Sequence, residues 1–74
     1  MIKIYCILNR QGEGLHYIGG SLFWRKPDTY ESIVNFTPFY SIKDIVKFIA
    51  ECGIKDAYDI GCMTFTLEKI DAKK

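Results

Sequence analysis

One run of the chain, Tyr17-Ile18-Gly19-Gly20-Ser21-Leu22-Phe23-Trp24-Arg25-Lys26, gathers three aromatics, a glycine pair and two adjacent cations within ten residues. Large rigid rings cover much area at low entropic cost, and a guanidinium pairs bidentately with carboxylates, so these residue types dominate binding hot spots. On this reading Tyr17, Phe23 and Trp24 anchor a protein partner, while Arg25 and Lys26 meet its carboxylates or phosphates. A structural reading stands beside it, in which Leu22 or Phe23 plugs one end of the core and Trp24 covers the sheet margin. Aromatics interleaved with cations also suit stacking on single-stranded bases, which makes a nucleic-acid or nucleotide-binding module the alternative.

Covalent chemistry finds less support. A nucleophile needs a base within hydrogen-bond reach and a third group to orient that base. His16 is the only histidine. Cys6 could lie across a hairpin from it, but nothing in the pattern supplies the orienting group. The carboxylate pairs Asp56/Asp59 and Glu68/Asp71 have spacings common in turns and solvated loops. Gly12, Gly14, Gly19 and Gly20 precede neither a helix nor a Lys-Ser/Thr pair, so they form no phosphate loop. Cys6, Cys52 and Cys62 contain no Cys-x-x-Cys, and a zinc site would need all three to converge with His16. The expectation is reduced thiols, no metal, no cofactor and no enzymatic activity.

Ten basic and nine acidic residues leave a net charge of +1, spread evenly along the chain. No domain-wide field attracts a polyanion, which places nucleic acid behind protein as the expected partner. Seventy-four residues make one domain that buries only about 60 to 65% of its unfolded surface, so self-association or aromatic packing is expected to support the core. The N-terminus alternates apolar and polar residues with no apolar block of signal-peptide type, and no run reaches the ~18 residues of a membrane span. A cytoplasmic location is the corresponding expectation.

The clearest element is a helix between Phe39 and Gly53. Ser41 is the expected N-cap, with Asp44 placed as its capping-box partner, and Tyr40 and Ile45 are spaced for a hydrophobic staple. Gly53 supplies the left-handed C-terminal residue. Ile42, Ile45, Val46, Ile49 and Cys52 recur at helical spacing, with Phe48 and Ala50 widening the stripe. Period-two alternation predicts strands at Met1–Leu8 and Leu15–Ile18, joined by the loop 9–14. Gly19-Gly20 is expected to form a bulge, after which Ser21–Trp24 resumes the second strand. A third strand is expected at Tyr30–Phe36 and a last one at Cys62–Ile70, after a charged connector.

The predicted order is β-β-β-α-β: an α+β domain with a four-stranded antiparallel sheet and a single helix on one face. One helix clothes one side only. The other side, occupied by some of Tyr5, Ile7, His16, Ile18, Ile33 and Ile70, would then be apolar and bare, which predicts a homodimer or a bound partner.

The layout Tyr5-x-Ile7-x-Asn9-x-x-Gly12-x-Gly14-Leu15-x-Tyr17, then Gly19-Gly20 and Trp24, then Phe39-x-Ser41-x-x-Asp44 opening a helix, resembles that of small phage accessory proteins. Some of that class inhibit host enzymes or defence systems, CRISPR effectors among them, by docking on them. The class shares no active site. The resemblance therefore implies a non-catalytic inhibitor of a host protein, acting by surface occlusion in the host cytoplasm, and assigns no residue a role.

Overall fold

The computed structural model describes residues 2–67. They form β1 (Ile2–Leu8), β2 (Gly14–Ile18), β3 (Ser21–Arg25), α1 (Tyr30–Val34), α2 (Ile42–Cys52) and β4 (Asp59–Phe65). The strands make one antiparallel sheet in the order β3-β2-β1-β4. The α+β class and the four-stranded sheet follow the sequence expectation. The third strand and the number of helices do not.

α2 forms where its ends are locally encoded. Ser41 is extended (φ −152°) and its hydroxyl accepts from the Asp44 N–H at 3.1 Å, and Gly53 closes the helix in the left-handed region at φ 63°. The helix turns Ile45 fully inward, with Phe48 and Ile49 half-buried beside it. The buried stripe is narrower than the spacing suggests, because Ile42, Val46, Ala50 and Cys52 are exposed. The Tyr40/Ile45 staple is absent: Tyr40 is 70% exposed.

Tyr30–Phe36 is not a strand. Thr29, extended at φ −135°, caps a five-residue helix: its hydroxyl accepts from the Ser32 N–H at 3.1 Å, and Ser32 Oγ in return accepts from the Thr29 N–H at 3.2 Å. The two reciprocal bonds satisfy donors that a strand would have to pair with a neighbour. The third strand is Ser21–Arg25 instead. Gly19 and Gly20, at φ 59° and 83°, are not a bulge but the two-residue turn that folds β3 back on β2. Successive positive φ values give a turn whose twist matches that of the strands it joins.

The last strand begins at Asp59, earlier than expected, and ends at Phe65. Thr66 and Leu67 follow it outside the strand, and residues 68–70 of the predicted Cys62–Ile70 strand lie outside the described residues.

The core is Ile7, Leu15, Phe39 and Ile45, with Tyr5, Trp24, Phe48, Ile49 and Ala57 packed around it. Ile7 is thus a centre of the α2-covered side, not an occupant of a bare one, and Tyr5 shares that side. On the opposite side of β2, His16 meets the edge of Phe36 at 5.1 Å and stacks on Phe23 at 5.3 Å. Phe36 also lies over Gly14, where a methyl group would come within 2.3 Å of its ring. α1 and Phe36 therefore cover part of the side expected to be bare, and Ile33 is half-buried there. Its uncovered remainder is the far end of the β1/β4 ladder, where Ile2 and Phe65 are exposed.

Two helices on opposite sides of one sheet require the chain to cross it, and the crossing is visible in the hydrogen bonds. β1 and β2 pair only at Leu8↔Gly14 and then diverge. Residues 37–39 fill the opening. The Thr37 N–H donates to the Leu15 carbonyl and its hydroxyl accepts from the Tyr17 N–H, while Tyr5 and Phe39 exchange both backbone bonds at 2.7 and 2.8 Å. Pro38, which has no N–H to satisfy, sits between these two pairs.

Candidate functional site

The β2/β3 hairpin carries four of the five residues singled out as partner contacts, with Lys26 just after it, and sorts those four onto two faces. Cross-strand pairs are Ile18↔Ser21, Tyr17↔Leu22, His16↔Phe23, Leu15↔Trp24 and Gly14↔Arg25. Side chains alternate along a strand, so Tyr17, Leu22 and Trp24 share the α2 face, while Ile18, Phe23 and Arg25 share the face of His16.

Trp24 is half-buried against the central core, in keeping with a structural role. Tyr17 packs edge-on against Phe48 at 5.3 Å and keeps 38% of its surface exposed. Phe23 covers His16 on one side and is 40% exposed on the other. Arg25 and Lys26 are exposed at the base of the hairpin, next to Pro27. They lie at the opposite end of β3 from the turn, so the cations and the turn do not form one patch.

Exposed apolar side chains are spread over several elements, Tyr30, Tyr40, Val46 and Tyr58 among them, and one group of four lies around the glycine turn, where Ile18 at 61% and Leu22 at 40% join Tyr17 and Phe23. The sequence offers Ile18 only as part of a bare sheet face and Leu22 only as a core plug, neither as a hairpin-tip contact. Their signal was position: each lies within two residues of a Gly-Gly pair that acts as a tight turn, and apolar residues there project beyond the sheet.

His16 is only 1% exposed and its Nε2 has no hydrogen-bond partner. Burial, with the nearby Arg25 charge, holds the imidazole below its ordinary 6.5, offset in part by the Ser32 backbone. Cys6, the one cysteine buried, lies under Gly61, and burial pushes its thiol upward. All three cysteines are free thiols; Cys52 and Cys62 are exposed, Cys62 on β4, and only Cys6 is buried. His16 is enclosed by Phe23 and Phe36, which removes it from the reach of a substrate.

An open cleft of about 430 Å³ lies at the other end of the sheet, lined by Asn9, Arg10, Gln11, Lys55, Asp56, Ala57 and Tyr58. Asn9 shapes the 9–13 loop: its side-chain oxygen accepts from the Gln11 and Glu13 N–H groups, and its amide donates to the Glu13 carboxylate at 2.8 Å. The Arg10 guanidinium lies 4.6 Å above the Tyr58 ring, a cation–π contact that occupies both side chains. Among the described residues no three of His, Cys, Asp or Glu come together as metal ligands, and no helix is long and apolar enough to cross a membrane.

No protein-family model matches the chain, and searches of curated proteins and of solved structures give no match.

Proposed function

We propose that this chain is a non-catalytic binding module whose β2/β3 hairpin tip docks on another protein and occludes its surface, in the manner of the small phage inhibitors its layout resembles. The observation that carries this is the tip itself. Tyr17, Ile18, Leu22 and Phe23 expose apolar area on a two-residue turn of fixed geometry, and the strands behind it are clamped by His16 on one face and Trp24 on the other. A rigid apolar projection loses little conformational freedom on docking, which is the condition for affinity from a small contact. Arg25 and Lys26, further down the strand, serve as rim contacts for acidic groups on the target, governing its approach more than its residence.

The test is an infection assay. The chain is expressed in bacteria carrying a CRISPR or restriction system, and plaques of a targeted phage are counted. The wild type restores plaque formation, and Ile18→Asp or Leu22→Asp abolishes the effect while leaving the circular dichroism spectrum unchanged. No protection by the wild type against any such system, or full protection by both variants, would remove the proposal.

A further inference from the structure

β4 is an outer strand of the sheet, and the bonds made by its neighbour show which way its backbone points. Tyr5 spends both its N–H and its C=O on Phe39, away from β4. The Tyr5↔Cys62 pair is therefore a non-hydrogen-bonded one, so the N–H and C=O of Cys62 point outward from the sheet. The period of two extends this to Ile60 and Thr64. A separate bond agrees: the Ile60 N–H is taken by the Asp59 carboxylate at 2.8 Å, a group that can reach it only on the outer side. What remains, among the described residues, is a row of backbone groups without a partner: donors at Cys62 and Thr64, and acceptors at Ile60, Cys62 and Thr64.

The two outer strands are guarded differently. β3 is five residues long, ends in Arg25 and is followed by Lys26 and Pro27, residues that discourage another strand. β4 is seven residues long, and from Ile60 to Phe65 it has neither a charge nor a proline. Its flanks are apolar. Ile60 and Phe65 are partly exposed on its two faces, and α2 turns Ile42 and Val46 outward on the flank away from the Phe48 contact with β2.

We infer that β4 pairs antiparallel with β4 of a second copy of this chain, about a two-fold axis at Met63, to make a continuous eight-stranded sheet. In this register the Cys62 N–H donates to the carbonyl of the partner's Thr64 and the Thr64 N–H to that of the partner's Cys62, with the two reciprocal bonds completing four. Every group used is one without a partner among the described residues of a single chain. Gly61 falls opposite the partner's Phe65. Gly61 carries no side chain, Cys6 and Leu8 lie over it from the β1 side, and an aromatic ring laid across a strand glycine is a stabilising cross-strand pair. The only charge on the strand, Asp59, falls opposite the partner's Leu67, so the two carboxylates sit at opposite ends of the ladder. A second copy thus meets the donor pattern, sets Phe65 across from a glycine and keeps the carboxylates apart at once.

Sedimentation from micromolar to millimolar protein tests this, with Thr64→Pro as the variant. The Thr64 N–H points outward, so proline there leaves the β1/β4 ladder intact while removing one donor from each subunit. The wild type is expected to dimerise, and Thr64→Pro to do so roughly tenfold more weakly or not at all, with an unchanged circular dichroism spectrum. A second variant, Met63→Cys in a Cys52→Ser/Cys62→Ser background, is expected to oxidise to a covalent dimer, because a non-hydrogen-bonded pair on the axis brings the two Cα atoms to about 4.5 Å. A wild type that stays monomeric at millimolar concentration, a Thr64→Pro dimer as tight as the wild type, or β4 shifts in NMR spectra only on adding an unrelated strand-forming peptide would each overturn the pairing. Ile18→Asp should leave the dimer intact, which separates this surface from the hairpin tip.

Discussion

Replacing Gly14 by alanine isolates the contact that pins α1 to the sheet. Gly14 does not have a positive φ, so alanine meets no backbone penalty there. The whole effect comes from Phe36, whose ring atoms lie 2.3 to 2.6 Å from the position of the new methyl group. Ordinary contact begins at 3.4 Å, so the ring must retreat by more than an ångström, and its edge already abuts His16. Overpacking of this kind costs about 1 to 3 kcal/mol, against a gain of about 0.4 to 1 kcal/mol because alanine restricts the unfolded chain more than glycine does. Gly14→Ala should therefore be less stable by about 1 to 2 kcal/mol, and its Tm lower by roughly 5 to 15 °C. Urea denaturation of the wild type, Gly14→Ala, Phe36→Leu and the double variant closes the cycle. Leucine leaves room for the methyl group, so Gly14→Ala should become nearly neutral in the Phe36→Leu background. An alanine variant as stable as the wild type, or one destabilised equally in both backgrounds, would refute the placement of Phe36.

Two further outcomes follow from buried groups. Because burial lowers the His16 pKa, the unfolded chain takes up a proton first as acid is added: stability is full above the ordinary 6.5 and falls as pH drops below it, toward the folded pKa. His16→Phe should flatten that fall in urea titrations across pH 5 to 8, and also gain about 1 kcal/mol at neutral pH by removing the unpartnered Nε2. A slope unchanged by the substitution would assign it elsewhere. Iodoacetamide followed by mass spectrometry should label Cys52 and Cys62 in the native protein and Cys6 only after denaturation, since Cys6 is both covered and held as the thiol; Cys6 labelling at the rate of the others would contradict its placement.

Legibility from the sequence followed locality. The ends of α2 were readable because Ser41 and Gly53 act on their own backbone neighbours, and the first two strands because their alternation is undisturbed. Tyr30–Phe36 failed for a specific reason. Over seven residues, the alternation of Tyr30, Ser32, Val34 and Phe36 with Glu31, Ile33 and Asn35 fits a strand as well as a short helix. The deciding signal, Asp28-Thr29 followed by Ser32, is a capping pattern in which serine replaces the usual Glu or Gln. With no helix expected there, the side now partly covered by α1 was expected to be bare; separately, a bulge expected at Gly19-Gly20 joined Ser21–Trp24 to the second strand, where two positive-φ glycines instead make a turn. At the hairpin, Trp24 and Tyr17 looked alike in sequence. The register, set by two positive-φ glycines, puts both on the α2 face, with Trp24 opposite Leu15 against the core and Tyr17 two residues nearer the turn, where only Phe48 covers it.

The short strip at 37–39 has a consequence for how the chain reaches this form. A sheet usually closes like a zip, from the tight connection between neighbouring strands outward. Here that route is shut after Leu8 and Gly14, because a stretch from much later in the sequence must first be laid between the two rails. The small hairpin around Gly19-Gly20 can assemble early and alone, but joining it to the first and last strands waits on closing the long loop from Tyr5 to Phe39, the slower step in folding. The same seam, held by few bonds to either rail, is where the assembled molecule opens first, and amide exchange at Tyr5, Tyr17, Thr37 and Phe39 records it.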